Sequence, residues 1–143
     1  MMANMTPEEY HRFMLGTART GKLATVREDG RPHIAPVWFH MDGEVIVFMT
    51  NETTVKGRNI RRDPRVSLCV DDEKPPFAFA IIEGTVEIAQ PTPAEFLDWS
   101  TRIAARYMGA ELGPSYGKRN AVEGEYLVRL TPTHVIRQKG VSN

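Results

Sequence analysis

From Gly21 to Thr50 hydrophobic and polar positions alternate with a period of two. Two Asp-Gly pairs, Asp29-Gly30 and Asp42-Gly43, interrupt the alternation. Asp-Gly between β-rich runs is a strong hairpin signal, because glycine reaches positive φ without steric penalty. The pattern predicts three antiparallel strands over 21–28, 31–40 and 44–50. Pro32 and Pro36 lie in the middle one and have no N–H to give to a ladder. That strand is therefore expected at an edge, bulged or interrupted near Pro36, with backbone groups left free to bind something. The run "RVSLCVDD" predicts a fourth strand, and "PPFAFAIIEGTVEIAQ" a long fifth with a bulge at Gly84. "EYLVRLTPTHVIRQKG" predicts the last strand, or a pair split by Pro132.

The period changes to that of a helix in three places. In "TPEEYHRFMLGT" Thr6 can cap, Pro7 suits the first position, and Glu8 and Glu9 favour the positive helix end. Tyr10, Phe13 and Met14 then share a face, and Gly16 stops the helix. Val55, Asn59 and Ile60 mark a short helix ended by Pro64. Thr92, Pro93 and Glu95 open a third with a capping box, followed by Phe96, Trp99, Ile103 and Tyr107 on one face. "GAELGPSYGKRNAVEG" reads as a loop. With so few connections long enough for a crossover, the order predicts a mainly β (α+β) chain. Its architecture is an antiparallel barrel with flanking helices, in one domain over residues 1–143.

Composition narrows the function classes. Lys+Arg 18 balance Asp+Glu 18, so nucleic-acid binding through bulk charge is not expected, and any phosphate site should be local. No apolar run approaches a membrane span and no signal peptide is visible. The lone Cys69, in an alternating apolar stretch, fits a buried strand position and a reducing cytoplasm. The histidines, His11, His33, His40 and His134, have no metal-ligand spacing, and no serine sits in a nucleophile elbow.

Against that balance, "TTVKGRNIRRDPR" holds five cations, Lys56, Arg58, Arg61, Arg62 and Arg65, opposed only by Asp63. Thr50, Thr53 and Thr54 precede Lys56 where a strand hands over to a helix. Helix-start amides, hydroxyls and a lysine together make a compact phosphate cradle. Arg58 stands beside Lys56 at this handover, while Arg61, Arg62 and Arg65 fit a solvated helix face paired with nearby acids. Trp38, Phe39 and Phe77 fall near the cradle in the strand order and suit a planar ring with a phosphate tail, or plain core packing. Tyr116, Lys118 and Arg119 are candidates for substrate contact.

The stretches "GKLATVREDGRPHIAPVWF", "FMTNETTVKGRNIRRDPRVSLCVDD" and "AFAIIEGTVEI" resemble the pyridoxamine-phosphate-oxidase-like split β-barrel flavoproteins. More narrowly they resemble the flavin/deazaflavin oxidoreductases that use coenzyme F420. The resemblance implies a split barrel that dimerises, with two cofactor sites at the subunit interface. It implies that Lys56 and Thr54, helped by Thr50, hold the cofactor phosphate. Pro36, Val37 and Trp38 would offer backbone atoms to the ring edge, and Phe77 would come from the partner chain. Arg58 and Asn59 match the motif and serve the cofactor tail or cap the turn, while Arg61 and Arg62 would meet the glutamate tail of F420. The residues that bind pyridoxamine phosphate in the true oxidases are not recognisable near the C-terminus, so that oxidase activity is not expected. The implied activity is reduction of an unsaturated small molecule with F420. The alternatives are an FMN-binding oxidase or flavin reductase of the same fold, and a non-catalytic cofactor-binding module.

Overall fold

The structure is a computed structural model describing residues 1–143. The chain runs β1 (Ala3–Asn4), α1 (Pro7–Gly16), β2 (Gly21–Val26), β3 (Pro32–Val37), β4 (Phe39–Asp42), β5 (Val45–Asn51), α2 (Val55–Arg62), β6 (Arg65–Asp72), β7 (Ala78–Ile88), α3 (Pro93–Met108), α4 (Gly113–Asn120) and β8 (Glu125–Lys139). The strands form one antiparallel sheet in the order β3-β2-β6-β7-β8-β5-β4, with β1 against β8.

The middle strand of the predicted trio is in fact two. β3 and β4 are separated only by Trp38, yet they occupy opposite ends of the sheet. The sheet therefore curls until its ends meet, and Trp38 carries the chain across the gap. Closure here is covalent rather than a hydrogen-bonded ladder, which leaves β3 an edge strand. That is where Pro32 and Pro36, without N–H groups, can be accommodated.

Alternation sorts the side chains. Leu23, Leu68, Val70, Ile82, Val128 and Leu130 point into the barrel and are fully buried with Phe39, Ile46 and Phe48. Tyr10 and Met14 of α1 plug this core. β5 is buried on both faces: Val47 packs outward with Leu127 and with Ile103 of α3. Both capping boxes form as the sequence predicts. Glu9 and Glu95 each accept from the cap backbone, and Thr6 and Thr92 each accept from the third helical N–H.

Two expectations are corrected. The segment read as a loop contains α4, whose glycines act as contact surface rather than as helix breakers. A Cβ on Gly117 would lie 2.3 Å from the Thr101 hydroxyl, and one on Gly113 would lie 2.9 Å from the Cβ of Ala105. Their absence lets α4 lie directly on α3, and the Ser100 hydroxyl donates to the Gly117 carbonyl at 2.8 Å. The second concerns Pro132, which does not split the last strand. It sits opposite Gly84, where the register shifts, so β8 bends and continues. The bulge predicted at Gly84 is present, and a Cβ there would meet the Thr131 carbonyl oxygen at 2.2 Å.

Candidate functional site

The split in the barrel opens into a cleft of about 240 Å³. Pro36, Val37 and Trp38 form one wall, and Met49 and Ile103 supply apolar surface. Lys56 enters from α2, while Ser100, Asn120 and Glu125 border it from the α3–α4 side and the start of β8. The cleft thus unites Lys56 with the residues at which the chain crosses from β3 to β4.

Lys56 stands at the second position of α2. Its position follows from the residues around Asn51. The Thr54 hydroxyl donates to the Asn51 carbonyl at 2.8 Å and accepts the Gly57 N–H at 3.0 Å, closing the N-cap. Thr50, only 3% exposed, lies 3.1 Å from the same hydroxyl. Thr54 has one proton and spends it on Asn51, so Thr50 is the donor of that pair. Both hydroxyl protons are therefore committed within the chain, and the two threonines fix the start of the helix that carries Lys56. The amides of Val55 and Lys56, at the first two positions, have no acceptor within the helix. The first turn holds no acid, and Arg61 and Arg62 occupy the last turn, where they suit the helix dipole. Lys56 takes part in none of the chain's ion pairs.

The other basic residues go elsewhere. Arg65 pairs with Asp63 at 2.8 Å, and this bond leads the causes that hold the Asp63 carboxyl at about 2. Arg62 donates to the Val26 carbonyl at 2.6 Å and to the Asn59 side chain at 3.2 Å. Asn59 is buried and donates to Thr25 at 3.0 Å, locking α2 onto β2. Arg58 borders a separate groove with Arg27, Arg31 and Arg62, outside the Lys56 cleft. Arg61 is exposed. Phe77, in the turn before β7, is 39% exposed and has a left-handed φ of 61°, and it does not line this cleft. Tyr116 and Arg119 stack on each other on exposed α4, and Lys118 lies along a groove with Phe96 and Leu97.

Trp38 stacks flat on Tyr107, with ring centroids 5.0 Å apart and planes 4° from parallel. Tyr107 in turn accepts from the Phe39 N–H at 3.2 Å and donates to the Arg19 carbonyl at 2.9 Å. Arg106 donates to the carbonyls of Phe39 and Met14. The pair clamps the β3–β4 crossing from α3. Burial raises the Tyr107 phenol above its ordinary range, so it stays a neutral donor. Arg106 and Tyr107 were not singled out from the sequence, nor were Met49, Ser100, Asn120 and Glu125. Tyr107 was legible only as a helix-face aromatic, and Asn120 fell in the segment read as a loop.

His40, on β4, packs edge-on against Trp99, and its Nδ1 accepts the Met41 N–H at 2.7 Å. Burial is the main cause lowering its pKa, with Arg102 and Arg106 adding repulsion. The unfolded chain therefore binds a proton here that the folded chain resists, so stability rises with pH across this titration. It is complete above about pH 6.5, the ordinary histidine value, and falls as the pH drops below it. Glu9 and Asp63 are each held at about 2 and act only in more acidic solution. We predict that Tm drops between pH 7.5 and 5.5, and that H40Q flattens this slope. Equal slopes in thermal melts of the two proteins would rule the assignment out.

Comparison with known proteins identifies the fold and the family. The sequence model of the family described as pyridoxamine 5'-phosphate oxidase matches residues 6–139. The chain belongs to the pyridoxamine 5'-phosphate oxidase family. Its barrel superposes on that of a conserved hypothetical protein from Mycobacterium tuberculosis with a TM-score of 0.82 and 26% identity, covering 96% of this chain and 87% of that one. A structure described as an F420 reductase matches with a TM-score of 0.70 and 30% identity, over 87% of this chain and 94% of the other. A heme storage protein from Vibrio cholerae shares the fold at 16% identity, with a TM-score of 0.72 and coverage of 92% and 94%. The fold is thus shared by proteins of different description.

Proposed function

We propose that the Lys56 cleft binds the phosphate of a tricyclic redox cofactor, F420 first and FMN as the alternative, and that the chain is an F420-dependent reductase. The observation that carries this reading is an unpaired lysine in the same cleft as the free strand edge at Pro36–Trp38. The 30% identity to a protein described as an F420 reductase supports it. The residues present fit such a group. Lys56 and the free amides of α2 would take the phosphate, with Thr50 and Thr54 holding that helix start in place. The backbone of Pro36, Val37 and Trp38 would meet the polar ring edge. Met49 and Ile103 would exclude water from the ring. When bound, a reduced deazaflavin supplies a hydride for an electron-poor C=C or C=N bond. In this reading Arg58 and Arg61 serve the acidic tail, and Asn59 acts through its lock on Thr25. Fluorescence titration of the purified chain with F420 and FMN side by side tests the proposal. Submicromolar F420 binding with weaker FMN binding is the expected result, and absence of binding to both would end it.

We further propose that the cofactor sites are completed in a homodimer. Pro36, Lys22, Cys69, Ile81 and Ile136 stand in register across β3, β2, β6, β7 and β8, on the face opposite the core. Ile34 and Ile136 are exposed on it, and Phe77 is exposed beyond its end. A partner covering this stripe would bury apolar surface and bring Phe77 to the other subunit's cleft. The wild-type chain should then sediment at twice its 16.1 kDa mass, and an I81K/I136K variant at that mass. A wild type that sediments as a monomer at micromolar concentration contradicts the dimer.

A further inference from the structure

Of the side chains that line the cleft, only Lys56 and Glu125 carry charge. Glu125 is not a loose surface carboxylate. Its Oε1 accepts from the Asn51 side-chain amide at 3.1 Å. The Asn51 side-chain carbonyl is in turn held by the N–H and hydroxyl of Thr53, at 3.0 and 2.7 Å. The Asn51 backbone carbonyl is the group on which Thr54 caps α2. One residue therefore ties down both the carboxylate and the helix start that bears the lysine. The two charges share the cleft without forming an ion pair, which leaves Lys56 available while the formal side-chain charges of the lining cancel. The arginines Arg27, Arg31, Arg58 and Arg62 border a different groove, where Glu28 and Asp29 stand among them, and none of them lines the cleft.

We infer that Glu125 sets the charge selectivity of the cleft, so that it accepts a singly charged phosphodiester in preference to a doubly charged phosphomonoester. This rests on the cofactor reading above and names what distinguishes one cofactor from the other. The cost of taking an ion out of water rises with the square of its charge, while its attraction to one ammonium rises only linearly. A site of net positive charge would offset the dianion, but Glu125 removes that excess. A phosphomonoester such as FMN carries close to two charges at neutral pH, since its second pKa is near 6. The phosphate of F420 is a diester with one charge, and its carboxylates lie further along the tail.

The test is binding of three probes by fluorescence titration at pH 8: F420, FMN and the methyl phosphodiester of FMN. FMN and its ester share a ring and differ by one charge. Wild type is expected to bind the ester more tightly than FMN. Glu125→Gln keeps the acceptor for Asn51 and removes the charge. It should strengthen the ester and F420 about threefold and FMN about tenfold, because the repulsion acts once on a monoanion and twice on a dianion. Glu125→Asp keeps the charge and should keep the wild-type preference. An FMN-to-ester ratio that stays within twofold of wild type in Glu125→Gln would overturn the inference while leaving the cofactor reading intact. Failure of the wild-type chain to bind any of the three would overturn both.

Discussion

Lys56→Ala should weaken F420 binding by about 2–5 kcal/mol, thirtyfold or more. The size follows from what the ammonium does in the cleft. It is the only cation there, and no carboxylate of the chain holds it. A bound phosphate would lose its one charged partner and keep only the dipolar amides of α2, worth far less. The same substitution should leave folding almost untouched, within about 0.5 kcal/mol, because the side chain makes no hydrogen bond and is partly exposed. Equilibrium titration and a thermal melt on one preparation separate these effects. Equal F420 affinity for variant and wild type would show that the phosphate site lies elsewhere, and a collapse of the melt would show that Lys56 holds the fold.

Gly57→Ala should lower stability by about 1–3 kcal/mol, a Tm loss of roughly 3–10 °C, and weaken the cofactor site with it. Helix propensity alone predicts the opposite sign, since alanine is better than glycine in a helix by about 1 kcal/mol. The clash decides. A Cβ on Gly57 would lie 2.2 Å from the Asn51 carbonyl oxygen, a backbone atom at the end of β5. That carbonyl also accepts from the hydroxyl and the N–H of Thr54, at 2.8 and 3.2 Å, so it cannot swing away without uncapping α2. The helix must lift instead, and Lys56 lifts with it. Gly16→Ala is the control: nothing lies within 4 Å of its Cβ position, and no loss of stability is expected. If Gly57→Ala melts at or above wild type, the close packing of α2 on Asn51 is not a constraint on the fold.

Much of the architecture was legible because it rests on short-range chemistry. The cap residues Thr6 and Thr92 and the turn glycines Gly30 and Gly43, with φ of 87° and 60°, act on neighbours a few residues away. The Gly84 bulge could be read for the same reason. Part of the site was legible too: the lysine at a helix start and the proline-broken strand both announce themselves locally, and the structure places them together. The illegible part is that which depends on packing partners. Gly113 and Gly117 resemble loop residues until Ala105 and Thr101 are seen against them. Asn59 reads as a polar motif residue until its amide is found on buried Thr25.

By itself the sequence determined the approximate place of most strands, the capping boxes of α1 and α3, and that one cation-rich turn stands apart in a balanced chain. These follow from backbone sterics and from hydrogen bonds between residues close along the chain. Only the tertiary structure decided that Trp38 joins opposite ends of one curled sheet, that Glu125 and Asn120 stand in the cleft with Lys56, and that Arg58 borders a separate groove rather than the cleft itself. Sheet order is a matter of which distant strands pair, and no local alternation of polar and apolar residues encodes it.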